Sequence, residues 1–72
     1  MTAVASVTVT VNGELLVFDD GATLADVVTE VSDSPKGIAV AVDAQVVPRS
    51  LWAAHELADG ERIEILTAAQ GG

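Results

Sequence analysis

The 72-residue chain has no cysteine and no tyrosine, a single histidine, two aromatic residues (Phe18 and Trp52) and three basic residues (Lys36, Arg49 and Arg62). Without cysteine there are no disulfides, no thiolate nucleophile and no cysteine-based zinc site, a usage that fits the cytoplasm. With His55 alone, no histidine pair exists for a metal or a proton relay, and the six glycines form no phosphate-cradling loop, so neither a metal nor a bound cofactor is expected. No apolar run approaches membrane-spanning length, since residues 38–42 stop at Asp43. Residues 1–6 lack a basic n-region, so no signal peptide is expected. Eleven acidic residues against three basic ones leave a net charge of −8, which repels phosphate backbones and argues against nucleic acid as a partner. The same charge fits either steering toward basic partner proteins or simple solubility.

What remains is one small domain, residues 1–72, whose half-hydrophobic composition must pack a thin aliphatic core. Val7, Val9 and Val11 alternate with Thr8 and Thr10, the period of a half-buried strand. Asn12-Gly13 then signals a hairpin into a return strand at 15–18. Thr23 with Asp26 three positions on approximates a capping box, followed by an apolar helical stripe at Leu24, Val27, Val28 and Val31. Ser32, Asp33, Ser34 and Pro35 end that helix. Ile38, Val40 and Val42 alternate with Ala39 and Ala41 as a third strand, and Val46-Val47 pairs briefly before Pro48. Ser50 is placed to cap a short turn holding Leu51 and Trp52. Asp59-Gly60 leads into a last strand through Ile63 and Ile65 that runs out at 68–69.

This order predicts an α+β, β-grasp (ubiquitin-like) arrangement: a mixed sheet, first and last strands paired at its centre, with one main helix across one face. A two-residue turn at Asn12-Gly13 pairs Val9 with Leu16 and Val7 with Phe18 on the inner face. Leu15, Val17, Ala39, Ala41 and Leu66 then share the outer face with Thr8, Thr10 and Glu64. That apolar group is the expected partner-docking patch; scattered exposed apolar residues are the alternative.

No catalytic constellation accompanies it. Ser50 has no base in a nucleophile arrangement, His55 reads as a partly exposed neighbour of Trp52, and the acids at 19–20 and 59–61 sit at turns where solvated carboxylates are expected. So small a domain also leaves little room for a substrate cleft. The chain is therefore not expected to be an enzyme.

The chain ends in Gly71-Gly72. Chance would put such an ending on roughly 0.5% of chains. Two glycines make a slim strand that can thread a narrow channel and present a free carboxylate, so 69–72 are expected to be a flexible tail. A carboxylate must be activated before it reacts, and adenylation by ATP makes it open to attack by a sulfur or nitrogen nucleophile.

The half from Gly37 onward resembles the ThiS family, the sulfur carrier proteins of thiamine biosynthesis. The resemblance rests on the run Ile38-Ala-Val-Ala-Val-Asp-Ala-Gln-Val-Val-Pro-Arg-Ser-Leu-Trp52 and above all on Val47-Pro48-Arg49 followed by Trp52. His55, Leu57, Asp59-Gly60 and the 63–65 strand continue it to the diglycine, and the first half agrees in pattern. It implies that Gly72 is adenylated by a ThiF-like enzyme and becomes a thiocarboxylate. Sulfur comes from a donor such as a cysteine desulfurase and passes to thiazole synthase. Gly72 would then be the reacting residue, with Gly71 and Gln70 presenting it, and ATP would be bound by the partner rather than by this chain. Gln70 departs from the smaller or more apolar residues usual before the pair, and residues 1–6 lengthen the usual start. Alternatives are a carrier of another pathway (the molybdopterin synthase small subunit, or cysteine or siderophore synthesis) and an interaction-only ubiquitin-like domain.

Overall fold

The computed structural model describes residues 5–32 and 36–67. The helix breakers at 33–35, the run-out at 68–69 and the tail residues Gln70, Gly71 and Gly72 lie outside the described residues. Strands β1 (Ser6–Val11) and β2 (Glu14–Asp19) form a hairpin, followed by helix α1 (Leu24–Val31) and strands β3 (Ile38–Val42) and β4 (Gln45–Val47). A 3-10 helix (Arg49–Ala54) and strand β5 (Arg62–Thr67) follow as the last elements among the described residues. The sheet order is β2-β1-β5-β3-β4, with β1 parallel to β5 at the centre and every other pairing antiparallel. This is the expected β-grasp.

The hairpin forms because alternation sets its faces and the turn sets its register. Asn12 and Gly13 both take positive φ (51° and 85°), as a type I′ turn requires, and Val9 faces Leu16 while Val7 faces Phe18. The β3–β4 hairpin uses the same geometry with less suitable residues, Asp43 (φ 49°) and Ala44 (φ 72°).

Helix α1 opens on a complete capping box. The Thr23 hydroxyl accepts from the Asp26 N–H at 3.4 Å, and the Asp26 carboxylate accepts from the Thr23 N–H at 2.8 Å. Its Leu24, Val27 and Val28 join Val7, Val9, Val11, Val40, Val42, Ile63, Trp52 and Leu57 in one core. Val31, the fourth residue of the expected stripe, is 43% exposed because it falls in the final turn, at the rim of the helix–sheet contact. Ser50 does not cap the 3-10 helix: Pro48 occupies the N-cap position and no side chain bonds there.

Candidate functional site

Three elements meet at the end of β5, the strand that leads into the diglycine. On one side β3 pairs with it to the end, Ile38 opposite Thr67 and Ala39 opposite Leu66. On the other side β1 pairs only as far as Val11 opposite Ile63, because the chain then turns into the hairpin. The Asn12 N–H still donates to the Ile63 carbonyl at 2.9 Å. The Asn12 side chain continues from there: its Oδ1 accepts the Ile65 N–H at 2.8 Å and its Nδ2 donates to the Ile65 carbonyl at 3.2 Å. At the other end of β5, Asp43 acts similarly on Arg62. Its N–H donates to the Arg62 carbonyl (2.8 Å) and its Oδ1 accepts the Arg62 N–H (3.0 Å). The last strand is thus fastened at both ends by turn residues of neighbouring hairpins.

The outer face carries the five residues expected to dock a partner. Leu15, Val17 and Leu66 are 68%, 66% and 64% exposed, Ala39 is exposed and Ala41 is half-buried. Leu66 lies directly beside Ala39, and Ala41 lies between Glu64 and Val46 on the flanking strands. Leu15 and Val17 stand apart on β2, beside Thr10 and Thr8 of β1. That puts them two strand spacings, about 10 Å, from β5. Val46, 73% exposed, completes the face and was not legible as a member of it. Its orientation depends on the Asp43-Ala44 turn, and Ala44 gives no turn signal.

The acids near the second turn are not simply solvated, as their turn positions suggested. Asp59 Oδ1 accepts the Thr8 N–H at 2.6 Å, tying this turn to β1. Glu61 is half-buried: Oε1 accepts the Ala58 N–H at 3.0 Å and Oε2 lies 3.2 Å from His55 Nε2. His55, half-exposed, lies in the connection that follows the Trp52 turn. A groove of about 550 Å³, larger than so small a domain suggested, runs between β4 and the 3-10 helix. Its walls include Val46, Pro48 and Leu51, and of its polar members Asp43, His55 and Glu61 hold the loop bonds just described, with Gln45 beside them. These contacts fasten loops, and no nucleophile–base pair is among them.

Among the described residues no group of three His, Asp or Glu side chains could hold a metal ion, and no helix is long and apolar enough to cross a membrane. The concentration of arranged features lies on the outer face and at the end of β5, which leads to residues 68–72.

Comparison with known proteins gives three results. The ThiS family pattern matches residues 4–72. The chain is 33% identical over 52 residues to the sulfur carrier protein ThiS of Escherichia coli (strain K12), covering 72% of this chain and 79% of that protein. Its backbone superposes on the crystal structure of the thiamine biosynthesis protein ThiS from Geobacter metallireducens with a TM-score of 0.74. That match covers 90% of this chain and 99% of the other at 23% identity, a likeness of fold.

Proposed function

This chain belongs to the ThiS family, and from that premise we propose that it carries sulfur on its own C-terminal carboxylate for thiazole formation in thiamine biosynthesis. The observation that carries the reading is the extent of the family match, which runs through residue 72 and so includes the terminal Gly71-Gly72.

A ThiF-like enzyme binds the ATP. The Gly72 carboxylate attacks the α-phosphorus, pyrophosphate leaves, and the carboxylate becomes an acyl adenylate. A sulfur nucleophile supplied through a cysteine desulfurase then attacks the acyl carbon and AMP departs. Where that nucleophile is a persulfide the product is an acyl disulfide. A second thiol from the loading enzymes attacks the donor's sulfur, the two thiols leave joined as a disulfide, and Gly72 bears a thiocarboxylate, which thiazole synthase consumes. The carrier binds no cofactor and supplies no catalytic group; its part is to be held and to present its end. Gly71 and Gln70 precede the reacting carbon, and glycine leaves the approach to it uncrowded. The outer face of Leu15, Val17, Ala39, Ala41 and Leu66, with Val46, is the docking surface, since exposed apolar side chains on one sheet face mark a site of association.

Appending one alanine after Gly72 tests the reading. The extended protein should melt with the parent yet accept no adenylate and no sulfur. Thiazole formation supported by the extended protein would show that the free carboxylate of Gly72 is not the reacting group.

A further inference from the structure

We propose that Asn12 is a positioning residue for the sulfur-bearing tail. Its side-chain amide extends the central parallel ladder one step beyond the point where the β1 backbone turns away, and so fixes the strand end from which residues 68–72 continue.

In a continuing parallel ladder, a β1 residue donates its N–H to one β5 carbonyl and accepts, through its own carbonyl, the N–H two residues further along. Asn12 makes the first of these bonds with its backbone, to Ile63 at 2.9 Å. The left-handed φ of 51° then redirects the chain into Gly13 and removes the backbone from the second bond. The side chain takes its place. Oδ1 receives the Ile65 N–H at 2.8 Å, and Nδ2 also occupies the Ile65 carbonyl at 3.2 Å.

The residue type is specified by two demands at once. The turn asks for a side chain tolerated at positive φ, which Gly, Asp and Asn all satisfy. The Ile65 peptide asks for an acceptor and a donor side by side, which Asn alone of the three supplies. Without the amide, β5 beyond Ile63 would be held through β3 alone, and Ile65 would present an unpaired peptide on the side facing the hairpin. Thr67 ends the strand two residues later, and Gly72 follows five residues after that. A change in how 65–67 leave the sheet therefore moves the base of the segment that must enter a partner's site.

The consequence for activity rests on the carrier reading above, but the clamp itself can be measured on the isolated protein. Asn12→Gly keeps a turn-compatible residue and deletes both side-chain bonds; Asn12→Asp keeps the acceptor and loses the donor. Amide hydrogen exchange at Ile65 should quicken by about tenfold in Asn12→Gly and less in Asn12→Asp, while the amides between β1 and β2 change less and both variants stay folded with a melting temperature lower by no more than roughly 4–8 °C. With an active adenylating enzyme, ATP and a sulfur donor, Asn12→Gly should load with a several-fold lower kcat at unchanged KM, because the docking face is intact. Asn12→Asp should fall between the two. An unchanged Ile65 exchange rate would overturn the clamp. Faster exchange with an unchanged kcat, or a raised KM alone, would overturn the positioning role and leave Asn12 a structural residue. A parent protein that a proven-active enzyme cannot load would instead refute the carrier reading, and the exchange result would still decide whether the clamp exists.

Discussion

The indole N–H of Trp52 donates to the carbonyl oxygen of Val47 at 2.9 Å, closing a loop around Pro48 and Arg49. This bond gives the Val-Pro-Arg…Trp run a physical basis. Pro48 ends β4 with no N–H to offer a ladder, the 3-10 helix returns the chain, and Trp52 seals the end of the core with its ring while satisfying a strand carbonyl with its nitrogen. Trp52→Phe should therefore cost about 1–2 kcal/mol, seen as a lower urea midpoint at unchanged slope. Leu51→Ala, one position away but half-exposed, should cost less than about 1 kcal/mol. Equal losses from the two would contradict the assignment.

Thr23 and Asp26 exchange side-chain-to-backbone bonds at the start of α1. The helix is only eight residues long, so it depends on this cap and on its buried face more than on propensity. Thr23→Ala should lower stability by about 1 kcal/mol, which in a domain of this size moves the melting temperature by roughly 4–8 °C. A melting temperature within a degree of the parent would mean that the box carries no weight.

Ala44 holds a φ of 72°, a conformation its Cβ disfavours, in the two-residue turn between β3 and β4. Ala44→Gly should therefore raise stability by about 0.5–1 kcal/mol, the relief of strain exceeding the extra freedom glycine gives the unfolded chain. Thermal melts of the pair of proteins read the sign directly. A loss in Ala44→Gly would show that the turn bears no strain.

Leu66 and Val17 lie on the outer face two strands apart and, by the strand registers, about six residues (roughly 20 Å) apart along them, so substitutions there sample separate parts of it. Leu66→Thr and Val17→Thr retain strand-compatible residues at exposed positions and should change stability by no more than about 0.5 kcal/mol. Each contact that a partner buries should cost on the order of tenfold in the KM for loading or for sulfur delivery. If neither substitution affected either step, this face would not be the docking surface.

Much of the architecture is readable from local patterns. The Val/Thr alternation and Asn12-Gly13 specify the first hairpin down to its register, and Thr23 with Asp26 marks the helix start, because each signal and its partner lie within a few residues. The alternation of β3 likewise puts Ala39 beside Leu66 on the outer face. Legibility stops where one residue serves two purposes. The turn alone accounts for Asn12 and hides its bonds to Ile65, 53 positions away. Turn chemistry also accounts for Glu61 and hides its bond to His55, which exists only once the chain leaving the 3-10 helix has brought that ring round. Val46 was missed for the opposite reason: its orientation follows from a left-handed turn through an alanine, a residue that does not announce one.

In the proposed function the terminal carboxylate of Gly72 becomes a thiocarboxylate. The direct measurement is the intact mass of the protein after incubation with an adenylating enzyme of this family, ATP and a sulfur donor. One oxygen should be exchanged for sulfur, localised to Gly72 by fragmentation and dependent on ATP. An unchanged mass, with an enzyme shown to load another carrier in parallel, would contradict it.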